Sequence, residues 1–344
     1  MKFTKTLAAA AGVGLVAAGL LSASPASADP SGAPAGGDRA LAGVGSDTTQ
    51  NVMTDLANVV LIGGVKQIAS WDAIGSPATF QTRTAIAACT YTRTEANGST
   101  NGRSRLLESL STGNARSGCL DWARSSSSRG TFTSTPSMTW VPFAKDASTY
   151  VIRADGGVPR SLTLPEVQGV FKCQNTPDIF PVLPQTGSGS RAFWIGQMAI
   201  TEAEISTPGT YPCLVPVGTP GFTAAQATGR PYTQENNGVT LKTDEMTSFS
   251  IGLFNVQATG DNPDVRGARN ILGKIGGVLP NNANSAAPVS RNLFNIIPTA
   301  NLGTAPWSTV FVGPTSLVCA NPATISANGF APLATGCGDT SSQS

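Results

Sequence analysis

The sequence predicts an α/β fold, and two observations carry that prediction. Short apolar, strand-like runs alternate with segments whose apolar residues recur at helical spacing, which is the pattern of strands joined by packed helices. The chain has 344 residues and is 40% hydrophobic, enough to fill more than one core, and a chain of this length usually divides into two domains or lobes.

Ala40 to Gly45 reads as the first strand. Ser46, Asp47, Thr48 and Thr49 follow it, and then Val52, Met53, Leu56, Val59 and Val60 fall on one helical face, so the hydroxyl-rich tetrad opens a helix. The plan recurs where Asn97-Gly98-Ser99-Thr100-Asn101-Gly102 precedes Leu106, Leu107 and Leu110. A third instance runs from the strand-like Phe180 to Leu183, through Gly187-Ser188-Gly189-Ser190, into Arg191, Phe193, Trp194 and Ile195. Gly267 to Lys274 has glycines too, but their spacing misses that of a phosphate loop and Ile275 stands where Ser or Thr is required; it reads as a helix start.

The recurrence has a chemical meaning. A helix's first turn presents unpaired N–H groups and the positive end of the dipole, while glycines admit close approach and hydroxyls add donors. Taken singly, each turn is an ordinary cap, because Ser, Thr, Asp and Asn are the usual N-caps and Gly the usual turn residue. Three such turns, joined by Asp121-Trp122-Ala123-Arg124-Ser125-Ser126, point to an oxyanion cradle.

The N-terminal segment reads as an address. Lys2 and Lys5 form a basic start, Leu7 to Leu21 is an apolar or small-residue run, and Ala26-Ser27-Ala28 gives a small-x-small cleavage pattern before Asp29. The run falls short of the roughly 20 residues a spanning helix needs. Residues 1–28 are therefore expected to be a cleaved signal, with a secreted product and, in the absence of a nearby cysteine, no lipid anchor. Residues 29–38, rich in Pro, Gly, Ser and Ala, read as a flexible lead-in. Without the two signal lysines the chain is formally neutral, which argues against a nucleic-acid-binding face; any anion site must be local.

Cys89, Cys119, Cys173, Cys213, Cys319 and Cys337 would enter an oxidising space. Six cysteines allow 15 connectivities, and neighbour pairing (89 with 119, 173 with 213, 319 with 337) is the simplest. Metal ligation is the alternative, but the chain has no Cys-x-x-Cys and no histidine. Without histidine no Ser-His-Asp or Cys-His site can form, and no Ser-x-x-Lys occurs. No cofactor is expected.

The motifs Gly43-Val44-Gly45-Ser46-Asp47, Asn97-Gly98-Ser99, Leu120-Asp121-Trp122-Ala123-Arg124-Ser125 and Gly187-Ser188-Gly189-Ser190-Arg191 occur in the order seen in phosphate-binding proteins of ABC importers, and over most of the mature chain the sequence resembles that family. The resemblance implies an α/β, two-lobed type II periplasmic-binding-protein fold with two crossover strands, a ligand in the inter-lobe cleft, and a non-enzymatic, monomeric binder that serves an ABC permease. It places lobe one at 39–145 and 251–344, including a C-terminal tail, and lobe two at 146–250. Trp140 to Arg153 is the expected outward crossover and Phe249 to Val256 the return, and Leu162 to Phe171 resembles the helix that opens lobe two.

The implied ligand set is Ser46, Asp47, Thr48, Thr49, Gly98, Ser99, Thr100, Arg124, Ser125, Ser126, Gly187, Ser188, Gly189, Ser190 and Arg191. The sequence departs from the family at two charged positions: Ser126 replaces a carboxylate, and Pro184 replaces an arginine three residues before Gly-Ser-Gly. Hydrogen phosphate needs an acceptor for its proton and gains from an arginine fork; Asp47, Arg124 and Arg191 are the candidates for these roles. Their bland alternatives are a helix cap for Asp47 and surface salt bridges for the arginines. An extracellular enzyme on phosphorylated substrates, and a secreted surface or matrix protein uncoupled from transport, are the other readings.

Overall fold

The structure is a computed structural model and describes residues 29–30, 38–174, 178–260, 263–280 and 289–344. The expected signal at 1–28 and most of the expected lead-in lie outside the described residues. Asp29, at the start of that lead-in, is ion-paired to Arg93.

The chain builds strand β1 (Leu41–Gly45), helix α1 (Gln50–Val59), strand β2 (Ile68–Ser70), helix α2 (Ser99–Leu110) and strand β3 (Trp122–Ser125). β1 pairs in parallel with β2 on one side and with β3 on the other. Every residue of β1 is buried, as expected of a parallel strand covered on both faces. Glycine is required within it because Trp122 lies across the strand: a Cβ on Gly43 would fall 2.2 Å from the indole.

Strand β4 (Met138–Arg153) then runs for 16 residues. After it come α3 (Leu164–Phe171), β5 (Phe180–Val182), α4 (Gly189–Gln197), α5 (Glu202–Ser206), β6 (Glu245–Ser250), α6 (Ile251–Thr259), β7 (Asn270–Leu272), β8 (Ser290–Pro298) and the short β9 (Ala331–Pro332). These nine strands form one mixed sheet in the order β5-β6-β4-β8-β3-β1-β2, with β7 and β9 paired to β4. Residues 138–147 of β4 pair antiparallel with β8, and residues 148–152 pair antiparallel with β6. One strand thus links the two halves.

The halves have their own cores. Along β1, Leu41 packs in a cluster with Val52, Met53 and Leu56 of α1, whereas Ala42 and Val44 pack with Leu106 of α2. This alternation follows from the two-residue period of a strand. The far half gathers Tyr150, Ile152, Val167, Phe171, Trp194 and Met246. α3 begins with a capping box, in which Thr163 and Glu166 satisfy each other's backbone N–H. The first core also takes in Phe249, Leu253 and Phe254, so the segment expected to be the return crossover is the end of β6 and the first two turns of α6.

Two segments differ from expectation. Gly267 to Lys274 starts no helix: Gly267 has φ +85°, the Asn270 side chain donates to the carbonyls of Gly238 and Arg266, and β7 pairs with residues 151–153 of β4. An available sheet edge outweighs local preference here. For the same reason Ile271, Lys274 and Ile275, within the stretch assigned to lobe one, lie with the far half, while Leu272 packs against the first core: Lys274 and Ile275 pair with Ser161 and Leu162, and Ile275 is buried in the core of Trp194.

The disulfides join Cys89 to Cys119, Cys173 to Cys213 and Cys319 to Cys337, at Cα separations of 5.1, 5.8 and 6.0 Å. Among the described residues no helix is long and apolar enough to cross a membrane.

Candidate functional site

The turns that follow β1, precede α2, follow β3 and precede α4 meet at one place. β1 and β3 are adjacent parallel strands, so their ends deliver Ser46 and Ser126 side by side, and Ser46 Oγ donates to Ser126 Oγ at 2.9 Å. The N–H of Ser126 donates to Ser99 Oγ at 2.9 Å, which ties the start of α2 to the same point. Helix α2 reaches it because Gly102 lies against β1, where a Cβ would fall 2.5 Å from the Cα of Gly45.

α4 arrives from the far half. The N–H of Thr100 donates to the Gly187 carbonyl, and a Cβ on Gly98, which has φ +94°, would fall 2.5 Å from that carbonyl oxygen. Ser188 caps α4 by accepting from the N–H of Arg191. Ser190 Oγ lies 3.0 Å from Thr48 Oγ1. The two halves are therefore in contact through glycines and hydroxyls, with the first turns of α2 and α4 together.

A carboxylate occupies the centre. Glu235, 2% exposed, accepts through Oε2 from the N–H and the hydroxyl of Thr48, at 3.2 and 2.7 Å. Its Oε1 accepts from the hydroxyl of Ser188 and, at 3.3 Å, from the N–H of Ser190. The flanking residues fasten it. Gln234 donates to Asp47, and Asn236, in the left-handed region at φ +52°, donates to Thr48 Oγ1 and accepts from the N–H of Ser250. Burial, with the neighbouring Glu235 carboxylate adding to it, pushes the Asp47 carboxyl up to about 7.

Beside this carboxylate lies a buried cation. Arg291 of β8 donates through Nη2 to Ser190 Oγ at 2.8 Å and to Asp146 at 3.0 Å, and its Nη1 is buried without a partner. Asp146 also accepts from Ser250 Oγ at 2.7 Å, and burial pushes its carboxyl up against the pull of Arg291. Among the described residues no three His, Cys, Asp or Glu side chains are gathered to hold a metal ion.

No protein-family model and no curated protein sequence matches this chain. Solved structures do match. A protein from Clostridium perfringens, described as a phosphate ABC transporter substrate-binding protein with bound phosphate, superposes with a TM-score of 0.54 at 12% identity, over 85% of this chain and 99% of its own. An ABC-type phosphate transport receptor from Vibrio cholerae gives 0.50 at 16% identity, again over 85% and 99%. The chain shares the two-lobed α/β fold of these two structures.

Within this periplasmic-binding-protein fold, the residues singled out from sequence divide into two groups. Ser46, Thr48, Ser99, Ser126, Ser188 and Ser190 form the hydroxyl cluster, Gly98, Gly187 and Gly189 bring the turns into contact, and Asp47 and Thr100 sit beside it. Thr49 caps α1 with its Oγ1 buried and unpartnered, and the Ser125 hydroxyl turns to the carbonyl of Ser127. The arginines are otherwise engaged. Arg124 donates to the carbonyls of Gly45 and Ser46 and to Ser70 Oγ, and burial pushes it down to about 10. Arg191 forms a two-point ion pair with Glu202 of α5, donates to the Pro184 carbonyl and lies over the ring of Tyr232.

Glu235, Asn236, Arg291 and Asp146 were not found from sequence. Gln234-Glu235-Asn236-Asn237-Gly238 reads as a polar surface turn, and Arg291 as one of three polar residues, Ser290 to Asn292, ahead of an apolar run.

Proposed function

We propose that this protein is an extracellular solute-binding protein that captures a small oxyanion, phosphate first, between its two lobes. The observation that carries the reading is the reception of one carboxylate by two backbone N–H groups and two hydroxyls from the turns that open α1 and α4. Donors so arranged are an anion receptor, since a helix N-terminus favours negative charge and leaves its first N–H groups free to bind it. One of the two similar structures named above holds phosphate and the other is described as a phosphate transport receptor, and this likeness supports phosphate as the oxyanion to test first. Capture followed by release to an ABC permease is the role this reading implies, and no chemical step belongs to it.

In this reading Arg291 supplies the positive charge assigned from sequence to Arg124 or Arg191, because its Nη1 has no protein partner. Asp47 supplies the acceptor for the proton of hydrogen phosphate. Calorimetric titration with phosphate, sulfate and molybdate tests the reading, and an absence of binding by all three sinks it. Asp47→Asn should weaken phosphate binding more than sulfate binding, because an amide cannot replace the charged acceptor.

A further inference from the structure

We infer that Glu235 is a tethered competitor: a carboxylate of the chain itself that occupies the oxyanion donors, so that ligand enters only by displacing it. The inference rests on the oxyanion reading of the cleft and adds to it a threshold on ligand affinity.

The hydrogen count carries the argument. The N–H of Thr48 and the N–H of Ser190 have one hydrogen each, and so do the hydroxyls of Thr48 and Ser188. All four are directed at Glu235, two to each oxygen. None has a second hydrogen for a free anion. A ligand that uses these donors and Glu235 are therefore mutually exclusive, and two adjacent anions would also repel in a site from which water is largely excluded.

The carboxylate is held ready. Thr233 lies in a bridge beside Pro184, Gln234 donates to Asp47, Asn236 is fixed to Thr48 and Ser250, and Gln257 donates to the Asn236 carbonyl. These contacts draw on both lobes, and Glu235 itself joins Thr48 of one to Ser188 and Ser190 of the other, as an anion held between them would. A group tethered this closely competes at an effective concentration on the order of millimolar or above. Only an anion bound more strongly than that tether displaces it, and Arg291, with one nitrogen unpartnered, is the charge that rewards a ligand richer in oxygen than a carboxylate.

Glu235→Ala and Glu235→Gln test the inference, the second because it keeps the side-chain shape while turning N–H groups toward Ser188 or Thr48. Each is titrated with phosphate and with sulfate beside the wild type, and the melting temperature of each is followed with added acetate. We expect phosphate affinity to rise at least tenfold in both variants, and acetate to raise the melting temperature of Glu235→Ala but not of the wild type. Unchanged or weaker phosphate binding in the variants of a wild type that binds overturns the inference and makes Glu235 a partner of the ligand. If no protein binds phosphate or sulfate, the phosphate reading fails and acetate decides: stabilisation confined to Glu235→Ala upholds the tethered carboxylate, and no effect on it refutes the tether as well.

Discussion

Gly189 and Ser99 are packed so closely that a Cβ on the glycine would fall 2.1 Å from the serine Oγ. The two residues open α4 and α2, which belong to different cores, so this contact sets how nearly the lobes approach. Gly189→Ala should cost about 1–3 kcal/mol of stability through overpacking, and it should weaken oxyanion binding by holding the turns apart. Gly196→Ala, exposed on the same helix with nothing within 4 Å of its added methyl, should be neutral or stabilising by up to about 1 kcal/mol. Urea denaturation of the two variants separates close approach from helix propensity.

Asp47 gives stability a pH dependence of defined sign. Its carboxyl titrates near 7 in the folded protein because it is buried beside Glu235, whereas an unfolded aspartate releases its proton near 4. Between these values the folded state binds the extra proton, so the contribution of Asp47 is fully present below about pH 4 and lost as the pH rises through about 7. Asparagine does not titrate. The stability of Asp47→Asn relative to wild type should therefore increase from pH 4 to pH 7 and then level off, by roughly 1–2 kcal/mol once solvent screening at the accessible edge of this largely buried residue is allowed for. A constant difference between the two proteins across that range contradicts the assignment.

Arg291 and Asp146 should behave as a unit. Arg291→Met leaves the Asp146 carboxylate buried with Ser250 as its remaining side-chain donor, a loss of about 3–5 kcal/mol. Adding Asp146→Asn removes the orphaned charge, so the double variant should be more stable than Arg291→Met alone. Chemical denaturation of the four proteins of the cycle measures the coupling, and additive losses would deny it.

The disulfides differ in the loops they close. Cys319–Cys337 spans 18 residues and Cys173–Cys213 spans 40. Loop-closure entropy gives about 3 kcal/mol for the shorter and about 0.6 kcal/mol more for the longer. Paired Cys→Ser replacements, compared by their denaturation midpoints, should preserve that order.

What the sequence revealed was whatever repeats or lies close along the chain. The apolar run of β1, the 3.6-residue spacing in α1 and the hydroxyl-rich turn between them are local signals, and each follows from short-range geometry. Neighbouring cysteines likewise lie near one another in space. Glu235 carries no such signal, since it reaches Thr48 across 187 residues and what places it there is the meeting of two lobes. Gly267 to Lys274 misled for a related reason: its local composition favours a turn into a helix, and the open edge of β4 supplies hydrogen bonds that composition does not encode. Arg124 and Arg191 were conspicuous beside their serines, yet Arg124 ties β3 to the end of β1 and Arg191 ties α4 to α5.

β4 also governs how the protein comes apart. Its first half is bonded to β8 and its second half to β6, so neither lobe can melt without stripping partners from a strand that the other needs. A calorimetric scan should therefore show one transition for the two lobes, with equal van't Hoff and calorimetric enthalpies, where two independently hinged domains would give two. Cooperativity of this kind makes the junction between the lobes as durable as the cores on either side of it.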